Sequence, residues 1–182
     1  SVDELMDEVR PLAPFLSGVT TSGGEATLQA AFVRAWFAAL RDDPATAALT
    51  RYVDSNGCAD DAAWDLLLPD TDGVMLDLKA LDPVVHWELT GTGNTSVLRS
   101  LDRLAAAAKL VEVRLLVVPG HNDSADGLRA MMTERHVSHA TVLKDGRLVG
   151  IVSFHDIARS AVKDVAFENR LLKQYIKNWP QS

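Results

Sequence analysis

The chain has 182 residues, 47% of them hydrophobic, and a net charge of −7. That supplies a core for one moderate domain or two small ones, and the acidic balance excludes a general nucleic-acid binder. No apolar run reaches the roughly 18 residues of a membrane span, and the single cysteine, Cys58, excludes a disulfide framework or a cysteine metal site within these residues.

Nothing in the first residues resembles a secretory leader, so the expected compartment is cytoplasmic and no membrane partner is expected. A start at Ser1 suggests a piece excised from a longer protein. The charge is uneven. Residues 1–126 hold nine basic against twenty acidic residues, net −11, and residues 127–182 hold nine against five, net +4. The change of sign predicts two modules, 1–126 and 127–182.

In chain order, residues 3–15 predict a helix ending near Pro11 and Pro14, and residues 18–21 a short strand. Leu28, Ala31, Phe32, Ala35, Trp36, Ala39 and Leu40 recur at helical spacing and predict one buried stripe. Asp42, Asp43 and Pro44 stop that helix, and residues 50–54 form the next strand, before the turn Ser55-Asn56-Gly57. Asp60 is placed to cap a helix running to Leu68. Residues 72–80 predict a third strand, 97–108 a helix and 111–120 a fourth strand. Near-continuous apolar strands alternating with helices predict a parallel sheet, which binds ligands at its carboxyl edge.

The polar residues gather at those strand ends: Ser22-Gly23-Gly24-Glu25, then Asp54-Ser55-Asn56-Gly57, then Asp77 and Lys79, then residues 119–123. Asp, Asn and Gly are also ordinary turn formers. That bland explanation fails for Asp77 and Lys79, which lie in an apolar strand without a turn signal and need partners or a ligand.

The segments "TSGGEATLQAAFVRAWF", "VDSNG", "VMLDLKALD" and "VVPGHND" resemble the pyruvate formate-lyase (glycyl-radical enzyme) activating enzymes of the radical S-adenosylmethionine (SAM) superfamily, over about residues 1–125. The resemblance implies an α/β fold, a partial parallel β/α barrel, and a glycyl-radical enzyme as partner. It also implies that Gly23, Gly24 and Glu25 bind the methionyl amino group of SAM, that Asp54 and Lys79 line the SAM site, and that Arg114 contacts substrate or SAM. By the same resemblance Asp54, Ser55, Met75 and Asp77 fall at a monovalent-cation site, with oxygen ligands suited to a hard ion. The family's [4Fe–4S] cluster sits on a CxxxCxxC loop absent from these residues, and Cys58 matches no cluster ligand. Without a cluster the chain is expected to bind SAM but not to cleave it, and no catalytic residue is assigned.

The second module departs from the β/α alternation. Residues 125–136 predict a helix, 139–154 a hairpin around Asp145-Gly146, and a long helix comes next, to about Trp179. "MMTERHVSHATVLKDGRLVGIVSFHDIARS" resembles the latter part of a cystathionine β-synthase (CBS) domain, so the architecture expected is a half barrel followed by a CBS-like helix, hairpin and C-terminal helix. That resemblance implies an adenosine nucleotide, AMP or ATP, with Ser153 near a phosphate and Asp156 on the ribose. Capping of the last helix by the same two residues explains them equally well. The strand 111–118 and helix 125–136 could supply the missing first β-α of the CBS motif, so the two pieces would share one unit. The resulting readings are a SAM-binding activating-enzyme piece, a CBS-type nucleotide sensor, or an inactive engineered or generated α/β chimera. A homodimer through helices 125–136 and 156–178 is expected from their unpaired apolar faces.

The remaining expectations are structural. Trp36 and Trp64 belong to the core, and His86 to a helix surface. His136, His139 and His155 lack the spacing of a metal site.

Overall fold

The computed structural model describes residues 1–124, 127, 128, 130, 139–144 and 147–153. Six strands form one curled sheet in chain order: β1 (Gly18–Thr21), β2 (Thr50–Ser55), β3 (Gly73–Leu78), β4 (Leu110–Val117), β5 (His139–Lys144) and β6 (Arg147–Ser153). Pairing is parallel from β1 to β5, and β6 turns back antiparallel on β5. The helices are α1 (Val2–Val9), α2 (Ala30–Asp42), α3 (Asp61–Leu67), α4 (Pro83–Thr90) and α5 (Thr95–Ala106). The result is a half barrel of α/β type.

Local chemistry sets the helix ends. Asp60 Oδ1 accepts from Ala63 N at 2.8 Å and starts α3. Asp82 Oδ1 accepts from Val84 N and Val85 N at 2.8 and 3.1 Å, with Pro83 at the first helical position. Both are N-caps that satisfy otherwise orphaned donors.

Alternation along the strands separates the two faces of the sheet. Val53, Val74, Leu76, Leu78, Val113 and Leu115 point into a core closed by Phe37, Leu40, Trp64, Leu67 and Leu104. Gly57, at φ +76°, lies where a Cβ would stand 2.8 Å from Leu76 Cδ1, so the loop after β2 closes on this core only with glycine. The opposite, concave face carries Asp54, Met75, Asp77, Glu112, Arg114 and Leu116. Asp54 aligns with Met75 and Met75 with Glu112, Asp77 aligns with Arg114, and Leu116 aligns with Thr141 and Thr141 with Ile151.

Two expectations are corrected. The buried stripe of α2 is Ala30, Val33, Trp36, Phe37 and Leu40. Leu28 precedes the helix in a 3₁₀ turn (Ala26–Gln29) and is 84% exposed, and Phe32 is 40% exposed. Within α2 the core-facing side is centred on Val33, Phe37 and Leu40, and Phe32, one position before Val33, lies about 100° round the helix from it. His86 is buried rather than on a helix surface, because its Nδ1 donates to Thr92 O at 2.9 Å and folds the end of α4 over the ring. Trp36 and Trp64 are core residues, with Trp64 Nε1 donating to Ser100 Oγ at 2.8 Å. The hairpin at 139–153 is formed, whereas its turn, most of helix 125–136, Asp156 and the C-terminal helix lie outside the described residues.

Candidate functional site

The carboxyl end of the concave face holds a chain of alternating charge. Arg114 is ion-paired with Asp54 through one guanidinium nitrogen, and its Nε donates to Asp77 Oδ1 at 3.1 Å. Lys79 Nζ donates to the other oxygen, Asp77 Oδ2, at 3.0 Å. Ser22 Oγ donates to Asp54 Oδ2 at 3.1 Å and ties the loop after β1 to the same group. Asp54 and Asp77 thus share one guanidinium, and Lys79 is paired as the sequence requires of an ammonium in an apolar strand. All four charged groups are partly exposed, between 21% and 36%. A ligand can therefore compete for them without the cost of opening a dry core.

Glu25 faces elsewhere. It caps the 3₁₀ turn after β1, accepting from Thr27 N at 3.2 Å and Thr27 Oγ1 at 2.6 Å. Its two oxygens also accept from Ser55 Oγ at 2.9 Å and Asn56 N at 2.8 Å. Four donors on one carboxylate fasten the loop after β1 to the loop after β2. The preceding Gly23 and Gly24 adopt φ +95° and +53°, and a Cβ at either would meet nothing within 4 Å. Both glycines thus present bare left-handed backbone to open space.

The residues singled out in the sequence therefore fall into two groups. Asp54, Asp77, Lys79 and Arg114 come together, and Gly23 and Gly24 approach them through Ser22. Ser55 is buried, its hydroxyl on Glu25, and gives no side-chain oxygen to the concave face. Met75 stands on that face beside Asp54 in register. Ser153 ends β6, and Asp156 lies outside the described residues.

A cavity of about 460 Å³ opens beside the charged chain, lined by the charged Asp77, Lys79, Glu112 and Arg114 and by Leu115, Leu116, Thr141 and Ile151. The carboxyl end of β3 and strands β4, β5 and β6 all contribute to its wall. Two of the residues that shape the site escape sequence reasoning. Buried Asn122 donates from Nδ2 to Lys79 O and Leu116 O, both at 2.7 Å, and accepts from Val118 N at 2.6 Å, locking the end of β3 to the end of β4. Its position in a Gly-His-Asn-Asp turn signals only a loop. Glu112 alternates with Val113 along β4, and that alternation was the signal available for a carboxylate on the concave face.

Residues 1–130 match the radical SAM superfamily, and residues 114–163 match the CBS domain, so the two matches overlap on β4 and the residues just after it. The pyruvate formate-lyase 1-activating enzyme of Escherichia coli is 41% identical over 132 residues, 69% of this chain and 52% of that protein. The pyruvate formate-lyase-activating enzyme of Staphylococcus aureus is 35% identical over 137 residues, 70% of this chain and 53% of that protein. The chain spans about half the length of the curated relatives it matches. Among solved structures, a domain of pyruvate-formate lyase-activating enzyme from Bacteroides vulgatus superposes with a TM-score of 0.58 at 21% identity, over 81% of this chain and 91% of that one. SuiB from Streptococcus suis gives 0.59 at 16% identity, over 97% and 40%. The likeness to these structures lies in the fold, and the match over residues 1–130 fixes the family: the chain belongs to the radical SAM superfamily.

Proposed function

We propose that the chain is a SAM-binding half barrel of the glycyl-radical activating-enzyme type that, with these 182 residues alone, does not cleave SAM. The observation that carries the reading is the open left-handed backbone at Gly23 and Gly24, held beside the Asp54–Arg114–Asp77–Lys79 chain. The backbone of that turn takes the methionyl ammonium. Glu25 holds the turn in shape rather than contacting the ligand, since its oxygens already serve four donors. Lys79 and Arg114 supply cations for the SAM carboxylate, and Asp54 an acceptor for its hydroxyls. When bound, SAM would supply the adenosyl group that a reductant converts to a radical.

The residues present do not fit the [4Fe–4S] cluster. Cys58 is the one cysteine and could give a single ligand where the family's motif uses three. Partial burial and the negative charge of Glu25 also hold its thiol above the usual pKa, which disfavours the thiolate that iron needs. Activation of a glycyl-radical enzyme therefore requires cysteines beyond those in this sequence. A monovalent cation at Asp54, Met75 and Asp77 has to share both carboxylates with Arg114. Replacing potassium by choline therefore tests that site, and an unchanged SAM affinity removes it.

Calorimetric titration of the full chain with SAM tests the reading. Saturable binding is expected, weakened at least about tenfold by Gly24→Val, which closes the cradle. Iron and sulfide reconstitution should leave the chain without a stoichiometric cluster. Absence of SAM binding, or 5′-deoxyadenosine formation by the reconstituted chain, would overturn it. The second reading, an adenosine-nucleotide sensor, draws on the CBS match over residues 114–163 and the β5–β6 hairpin. It predicts that AMP or ATP binds in place of SAM and that Ser153→Ala weakens it.

A further inference from the structure

We propose that the cavity between β3 and β6 is a binding site for an amphiphilic ammonium, an apolar body ending in one cationic amine. This site adjoins the one read for SAM and shares Lys79 and Arg114 with it as lining. Asp77, Lys79 and Arg114 are engaged with one another or with Asp54. Glu112 lines the same cavity, is partly buried, and has no ion-pair or hydrogen-bond partner among the described residues. Counting Asp54, the described charges on this face are three carboxylates against two cations, so the wall carries one uncompensated negative charge. A partly desolvated carboxylate of that kind gains most from a charge-assisted contact with an ammonium.

The far end of the cavity has the opposite character. Leu116 lies four residues beyond Glu112 on the same strand and face, about 13 Å away along β4. Across the sheet it aligns with Thr141 and then Ile151, and Ile151 is 62% exposed. An isoleucine left open beside a charged cavity gains by being covered with an apolar group. The ligand that satisfies both ends is extended, cationic at the Glu112 end and hydrocarbon at the Leu116–Ile151 end. A compact metal ion leaves the apolar end uncovered, and a carboxylate meets Glu112 with like charge. The apolar end is built by the CBS-like hairpin, so this site arises from the joining of the two modules.

Titration of the full chain with n-hexylammonium chloride, followed by calorimetry, tests the assignment. Methylammonium and hexanoate probe the two ends separately. Hexylammonium should bind saturably, and methylammonium and hexanoate each more than about tenfold more weakly. Glu112→Gln should weaken hexylammonium binding at least about tenfold while leaving SAM titration unchanged. Ile151→Ser, at an exposed position that tolerates exchange, should weaken it several-fold and decides the question if Glu112→Gln fails to fold. Equal binding of hexanoate, no saturable binding of hexylammonium, or wild-type affinity in the folded variants would overturn the site. SAM enters the experiment only as a control, so loss of SAM binding in the parent chain leaves the outcome for hexylammonium unchanged.

Discussion

Glu25 shows how one side chain can be both a motif residue and a structural clamp. It joins two loops that no backbone ladder connects, through donors from Thr27, Ser55 and Asn56. Glu25→Ala unties the two loops and leaves the buried Ser55 hydroxyl without its acceptor, and should cost about 2 kcal/mol in urea unfolding. Glu25→Gln keeps an acceptor and should recover part of that, and equal losses in both variants would contradict the clamp. Asp72 provides the pH counterpart. Arg51 donates to it from Nε at 2.8 Å and from a terminal nitrogen at 2.9 Å, and Arg51 N adds a bond at 2.9 Å. The Arg51 guanidinium is the main reason its carboxyl lies below the ordinary value. A folded-state pKa below the unfolded one contributes stability above about pH 4, lost as pH falls through the folded value. Asp72→Asn should therefore lower Tm at neutral pH and flatten the fall in Tm between about pH 5 and pH 2. A wild-type slope in the variant would show that other carboxylates carry the acid sensitivity.

Among the elements, β3 and β4 are joined just beyond their last ladder pair, Leu78 with Leu115, by Asn122. Asn122 is buried and makes three hydrogen bonds, so Asn122→Ala should cost about 2–4 kcal/mol and speed amide exchange near Lys79 more than in α1. Uniform acceleration would reduce Asn122 to a general packing residue. Elements of this kind mark where sequence reasoning stops. Strand β1 was legible residue for residue from its apolar run and following glycines, and α3 from the Asp60 cap. Asp77 and Lys79 stood out because polar groups interrupt an apolar strand. The face of α2 was not legible, because two apolar stripes share Trp36 and Leu40, and the one through Val33 and Phe37 is buried while Phe32 and Leu28, the latter in the 3₁₀ turn, face outward. The buried state of His86 depends on Thr92, a contact six residues away set by a loop. Glu112 and Asn122 acquire meaning only once β3, β4 and the hairpin stand side by side.

For the whole molecule, the central question is whether the segments that match two family models make one folding unit. Among the described residues no helix is long and apolar enough to cross a membrane, and the sheet runs without interruption from β1 to β6. Strand β4 is interior, paired in parallel with β3 on one side and β5 on the other. The CBS match begins inside this strand, at residue 114, and the radical SAM match runs through it to residue 130. We propose that β4 serves both modules, so the expected boundary at residue 126 separates sequence types but not folding units. Removing everything after residue 126 would strip β4 of a partner, leaving an apolar edge with unpaired donors and acceptors. Thermal unfolding should accordingly be a single transition. The fluorescence of the tryptophans, dominated in its change by buried Trp36 and Trp64, should coincide with loss of exchange protection at Thr141 and Val142 on β5. A chain ending at residue 126 should melt several degrees lower and aggregate through its new edge. If instead the hairpin amides lose protection well below the tryptophan transition, the hairpin is a separate lodger on the half barrel. The cavity between Glu112 and Ile151 would then open before the core does.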